Sequence, residues 1–301
     1  MASGNFAFNN PVFQEQRPGL TPPPAQQPGA AAQYGAASHQ AADVAANAHL
    51  EGMYAAPPAS AAQTGRMTVE DTVVKTLGLF GILVAMALVG WVWTLGGVTP
   101  VLGQQSTIVP WILGALGGFV LAMVITFTSR KKVRPGLIFA YAAFEGLFVG
   151  GISAFFETIW PGVVMQATIA TLAVVGVTLA LFANGKVRVS KKANKIFLIA
   201  LGGYLVFGLV NLVLMWTGVT QGTFGLYSAT IAGIPLGLVI GLLVVLMAAY
   251  SLVQDFDLVQ QGARNGAPRE FGWIGAFGIM VTVVWLYVEI LRMIAILRGD
   301  N

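Results

Sequence analysis

The sequence predicts an all-α membrane protein with seven transmembrane helices, and three observations predict it. Hydrophobic residues make up 56% of the 301-residue chain and charged residues only 9%, whereas a soluble domain carries about 25% charged residues. The mean hydropathy is +0.75, and soluble domains of this length could not cover themselves with so little charge. Seven separate stretches beyond residue 67 are apolar for roughly 20 residues, the length that crosses the hydrocarbon core of a bilayer. The 37 glycines fit the same class, because glycine is commoner in membrane helices than in soluble ones.

The chain divides at residue 66. Residues 1–66 are rich in Ala, Pro, Gln and Gly and hold five charged side chains, Glu15, Arg17, Asp43, Glu51 and Arg66. Such a segment buries too little apolar surface to offset its ordering entropy, so it is read as a disordered cytoplasmic tail. Met1-Ala2-Ser3-Gly4-Asn5 has no basic region and no apolar run after it, unlike a signal peptide. Both histidines, His39 and His49, lie in this tail and are read as solvated side chains. Residues 67–301 form the membrane domain.

The seven spans are Thr76–Val98, Thr107–Thr128, Leu137–Phe156, Gly162–Phe182, Ile196–Gly218, Ala229–Gln254 and Gly272–Leu297. The first helix is expected to begin earlier, because Thr68-Val69-Glu70-Asp71 reads as a cap with acids in the first turn. The loops alternate in charge. Arg130, Lys131, Lys132 and Arg134 follow helix two, Lys186, Arg188, Lys191, Lys192 and Lys195 follow helix four, and Arg264 and Arg269 follow helix six. Gly96–Ser106 and Val219–Ser228 carry no charge, and the turn after helix three carries only Glu157. Eleven basic residues on one side and none on the other place the amino terminus and the basic loops in the cytoplasm and the carboxyl terminus outside, in a plasma (inner) membrane.

Glycines four apart mark close helix packing: Gly114 and Gly118 in helix two, Gly146 and Gly150 in helix three, and Gly233, Gly237 and Gly241 in helix six. Pro235, read as lying inside helix six, is expected to kink it.

Charged groups inside the bilayer are the functional candidates, since each costs at least about 2.5–3.5 kcal/mol at the centre of a helix. Glu145 lies mid-helix three, either as a neutral acid hydrogen-bonded to a neighbouring helix or as a proton- or cation-binding group. Glu289 and Arg292 share one face of helix seven, either as a local ion pair or as partners for other helices. Asp255 and Asp257 close helix six and point in different directions, so one can face inward while the other meets water.

Several chemistries are excluded. Without cysteine there is no thiolate metal site, iron–sulfur cluster or thiol nucleophile. Without an intramembrane histidine there is no Ser–His protease, and without a lysine in helix seven there is no retinal Schiff base. Neither a phosphate-binding loop nor a dinucleotide fingerprint is present. The chain is therefore not read as an enzyme. No resident cofactor and no nucleic-acid partner are expected, and the basic residues serve topology and lipid headgroups.

Three stretches carry a family resemblance: Ala140-Tyr141-Ala142-Ala143-Phe144-Glu145-Gly146, Tyr250-Ser251-Leu252-Val253-Gln254-Asp255-Phe256-Asp257, and Trp285-Leu286-Tyr287-Val288-Glu289-Ile290-Leu291-Arg292. With seven helices, they resemble the Bax inhibitor-1 / YccA family over roughly residues 70–298. The resemblance implies a bundle with helix seven at its centre, wrapped by six others, and a pH-sensitive passive calcium leak. It implies two acids, one in each of the last two helices, that share a proton and act as latch and sensor. Asp255 takes the first position and Glu289 the second, with calcium passing near them, and Arg292 is the substitute for a basic residue that the family carries on helix two. The alternatives are a non-conducting scaffold or regulator of a membrane protease, reaching a membrane partner through the tail or helix faces, and a proton-coupled transporter.

Overall fold

The computed structural model describes residues 64–97, 106–129, 132–220 and 224–299. The expectations for residues 1–63, for most of the Gly96–Ser106 loop, and for Arg130 and Lys131 lie outside the described residues. Among the described residues, seven helices long and apolar enough to cross a membrane follow in order. They are α1 (Val69–Thr94), α2 (Val109–Thr128), α3 (Pro135–Ile159), α4 (Val163–Ala183), α5 (Lys191–Trp216), α6 (Leu236–Arg264) and α7 (Gly272–Gly299).

Local sequence sets where the helices begin. The Thr68 hydroxyl accepts from the Asp71 N–H at 3.1 Å and opens α1, as the cap motif predicts. Pro135 opens α3 at a position where no N–H is needed. At the start of α4 the Glu157 carboxylate accepts from the N–H groups of Gly162 (2.6 Å) and Val164 (3.1 Å). Glu157 thus lies in the last turn of α3, not in the turn beyond it, and caps the next helix.

Helix six departs most from expectation, at both ends. Residues 229–235 are not helical. Thr230–Ile231 (β1) pairs antiparallel with Ile234–Pro235 (β2) around Ala232-Gly233, both at positive φ (55° and 82°), which closes a tight two-residue hairpin. Pro235 therefore precedes α6 and kinks nothing, and Gly233 serves the turn, not a packing groove. At the other end α6 runs nine residues past Asp255, because Leu258, Val259 and Gly262 keep the buried face going. At 29 residues it is about 43 Å long, well beyond the bilayer core. Asp255 and Asp257 are interior helix residues, not its end.

Among the described spans α7 is the most buried and α5 the least. The main neighbours of α7 are α1, α3, α4 and α6. Helix seven is central as expected, but four helices, not six, make its principal wall. Helix α2 packs mostly on α3, and α5 stands at the periphery. The glycines explain the tightest contacts. A Cβ on Gly146 or Gly150 would strike the backbone of Leu83 or Ala87 in α1, and one on Gly114 would strike the backbone of Phe148 in α3.

The core forms two apolar layers. One holds Leu83, Ile138, Leu258, Phe277 and Met280, and the other Ile152, Leu252, Leu286 and Ile290. The first layer sits at the end shared by the start of α1, the α2–α3 connection and the α6–α7 turn, through Met67, Val133 and Ala267. The opposite end gathers the α3–α4 turn, the α5–α6 connection and the end of α7. There Arg298 donates to the Pro161 carbonyl, and Trp160 stacks on Phe224 at 5.7 Å. The folded unit begins slightly before residue 67, since Gly65 and Met67 make backbone hydrogen bonds to Arg269 and Ala267. Deleting residues 1–63 is expected to leave the melting temperature in detergent unchanged, whereas deletion through Thr68 lowers it by several degrees. Equal melting of the two truncations would show that these contacts stabilise nothing.

Candidate functional site

The two acids assigned to the latch lie at different levels of α7. Asp255, fully buried, accepts a hydrogen bond of 2.6 Å from the hydroxyl of Thr282 on α7. The contact falls between the two apolar layers, with Leu258, Phe277 and Met280 on one side and Leu252 and Leu286 on the other. Glu289 lies seven residues beyond Thr282, two turns or about 10 Å along the helix. The described α7 contact of Asp255 is thus with a neutral hydroxyl, an acid facing an alcohol, while the Glu289 carboxylate engages Arg292 and Tyr204. Of the two acids Asp255 is the inward one, and Asp257 is less buried. It is half-buried and accepts from the Gln261 amide one turn later at 2.7 Å.

Glu289 belongs to a second cluster. Its carboxylate, 4% exposed, receives the Arg292 guanidinium on one oxygen and the Tyr204 hydroxyl of α5 on the other. Arg292 also donates to the Tyr204 hydroxyl at 3.2 Å and lies over the Tyr227 ring at 4.1 Å from its centroid. Both alternatives read for this pair hold at once, because it is a local ion pair and it engages α5. Arg292 serves Glu289, not Asp255. Tyr204, Asn211, Tyr227 and Arg292 also border a recess of about 410 Å³ beside α5.

Glu145 opens into a lateral recess of about 270 Å³ between α2 and α3, beside Gly118, Tyr141 and Val281. A Cβ on Gly118 would come within 3.0 Å of one Glu145 carboxylate oxygen, a tight contact.

Sequence reasoning missed three features. Thr282 was visible only as a hydroxyl in the apolar run Gly278-Ile279-Met280-Val281-Thr282. Tyr204 carried no signal beyond being one aromatic in an apolar helix. Lys75 was legible, since Val73-Val74-Lys75-Thr76-Leu77 puts a charge inside an apolar run. It pairs with Asp71 at 2.5 Å and donates to the Arg269 carbonyl at 2.7 Å. Among the described residues no group of three His, Cys, Asp or Glu could hold a metal ion.

A family model described as Bax inhibitor 1 like matches residues 10–299. The match begins inside the tail that the resemblance left out. No curated protein matches the chain.

Proposed function

The chain belongs to the Bax inhibitor 1-like family, and from that premise we propose that it is a passive, pH-sensitive cation leak with calcium as the permeant ion and no enzymatic activity. The observation that carries this reading is the Asp255–Thr282 contact, a fully buried carboxylate held by the central helix between two apolar layers. A carboxylate is costly in a membrane interior, and such groups mark ion pathways. The apolar layers bar hydrated ions while α6 and α7 stay together. Parting the Thr282 hydroxyl from Asp255 loosens that seam and leaves an anionic oxygen to draw a cation through. Calcium takes six to eight oxygen ligands. One carboxylate and one hydroxyl therefore make a way-station for a partly hydrated ion, not a resident site. Because Thr282 does not titrate, the pH response of the latch comes from the Asp255 carboxyl and not from a shared-proton pair.

Purified protein in calcium-loaded vesicles is expected to dissipate a calcium gradient and to stop at equilibrium, with a rate that changes with pH. Concentrative uptake driven by a proton gradient identifies a proton-coupled transporter instead. Absence of flux leaves a scaffold or protease regulator working in the bilayer through its tail or helix faces.

We place the amino terminus in the cytoplasm and the carboxyl terminus outside the plasma membrane, on the charge alternation of the loops. The two ends of the bundle, which gather alternate connections, agree with that alternation. Reporter domains inserted within Asn184–Lys195 are expected to be cytoplasmic, and those fused after Gly299 external. The opposite pattern overturns the orientation.

A further inference from the structure

The end of the bundle that carries the α6–α7 turn holds a polar assembly outside the path described above. Residues 65–67 run antiparallel to 267–269. The Met67 N–H donates to the Ala267 carbonyl at 2.7 Å, the Arg269 N–H donates to the Gly65 carbonyl at 3.0 Å, and Arg66 stands opposite Pro268. The Met67 side chain, 2% exposed, joins Leu258, Ala267, Phe271 and Ile274 in the apolar layer below the latch. One turn into α1, the Asp71 carboxylate accepts from Arg269 Nε and Nη2 at 3.1 and 3.0 Å. Lys75 Nζ lies 2.5 Å from the other Asp71 oxygen, donates to the Arg269 carbonyl and sits 5.3 Å from the Trp273 ring centroid. The start of α1 therefore grips the α6–α7 turn twice, by backbone pairing and by charge.

We propose that Asp71, Lys75 and Arg269 are positioning residues that clamp the α6–α7 turn to α1 and so hold Thr282 of α7 against Asp255 of α6. The proposal rests on the cation-path reading and names what keeps that path shut. The turn joining α6 to α7 is only seven residues long, and Thr282 lies ten residues into α7, about 15 Å from Gly272. A helix carries a displacement of its first turn over that distance as a rigid tilt, so the attachment of the turn sets the register of the latch. The clamp is made of charge-assisted contacts, with two guanidinium N–H groups of Arg269 converging on one Asp71 oxygen at the partly exposed end, and a single substitution can release it.

The chain has no cysteine, so introduced thiols report cleanly. Ala267→Cys in the full chain, reconstituted in vesicles, is expected to react with a water-soluble maleimide about tenfold faster when Arg269→Gln is added, because local opening limits access to a buried thiol. In the same vesicles Arg269→Gln is expected to raise calcium leak several-fold, and Arg269→Lys, which keeps the charge, to recover most of the parental rate. Arg66→Cys with Pro268→Cys gives an independent arm that leaves the clamp charges in place. The two positions form a non-hydrogen-bonded antiparallel pair, whose close Cα spacing accepts a disulfide. Oxidation is expected to suppress the leak, and reductant to restore it. Labelling rates unchanged by Arg269→Gln overturn the clamp. Faster labelling with an unchanged leak in a conducting protein overturns its role in positioning the latch. Faster labelling in a protein that never conducts supports the clamp and sinks the cation path instead.

Discussion

Arg292→Met is expected to be the most destabilising single change among the charged residues, costing about 3–5 kcal/mol, the usual result of removing one partner from a buried ion pair. Met keeps the bulk but leaves Glu289, 4% exposed, with the Tyr204 hydroxyl and no counter-charge. Unfolding in detergent by heat or denaturant measures the loss. Adding Glu289→Gln is expected to recover most of it, because an amide can still accept from Tyr204 and no longer needs a cation. The double-mutant cycle should therefore show strong coupling between the two positions. Additive losses contradict the pairing. Since Tyr204 is the described tie from mid-α5 to this pair, the same change is also expected to speed proteolysis around α5.

Thr282→Val is the second large effect. Valine keeps the shape of threonine and removes the hydroxyl, leaving the Asp255 carboxylate without the 2.6 Å donor on α7. Removing a hydrogen-bond donor from a buried carboxylate costs about 1–3 kcal/mol. The loss weakens the contact that holds α6 on α7, so Thr282→Val is expected to melt lower and to leak calcium faster. Thr282→Asp acts differently, by recreating two facing carboxyls. Its pH response is expected to become that of a coupled pair, with titrations that belong to neither acid alone. An unchanged melting temperature and leak in Thr282→Val contradict the role given to the hydroxyl.

The helices were legible because bilayer length and hydropathy are coarse properties, which survive errors at the ends. Helices two to five and seven stand within about five residues of their predicted places, and helix one starts seven residues before Thr76, at the cap that Thr68 supplies; helix six departs further. There the apolar stretch from Ala229 hid a two-residue hairpin, because Thr230-Ile231 and Ile234-Pro235 are as apolar as a helix start. Only Ala232-Gly233 hinted at the turn. The apolar run of the same helix stops at Gln254, ten residues before the helix does. Leu258, Val259 and Gly262 continue a buried stripe that charged neighbours mask.

The acids were found by their cost in a membrane, which needs no structure. Their partners were not. Which group on α7 faces Asp255 depends on the register of two helices joined by a turn of seven residues. A one-turn slip moves the facing group by about 5.4 Å, and no sequence periodicity fixes it. The resemblance placed Glu289 there, whereas the register puts Thr282 there. Hydroxyls such as Thr282 and Tyr204 cost little in a helix, so composition does not flag them even where they hold the buried charges in place.

The most direct test is calcium efflux from vesicles across a pH series, comparing wild type with Asp255→Asn. Asparagine keeps the size of Asp255 and its acceptor for the Thr282 hydroxyl, so the seam stays closed-packed, but it cannot titrate. A leak whose rate follows pH in the wild type and loses that dependence in Asp255→Asn, while Glu289→Gln keeps it, is the predicted result. A wild-type pH profile retained by Asp255→Asn contradicts the account.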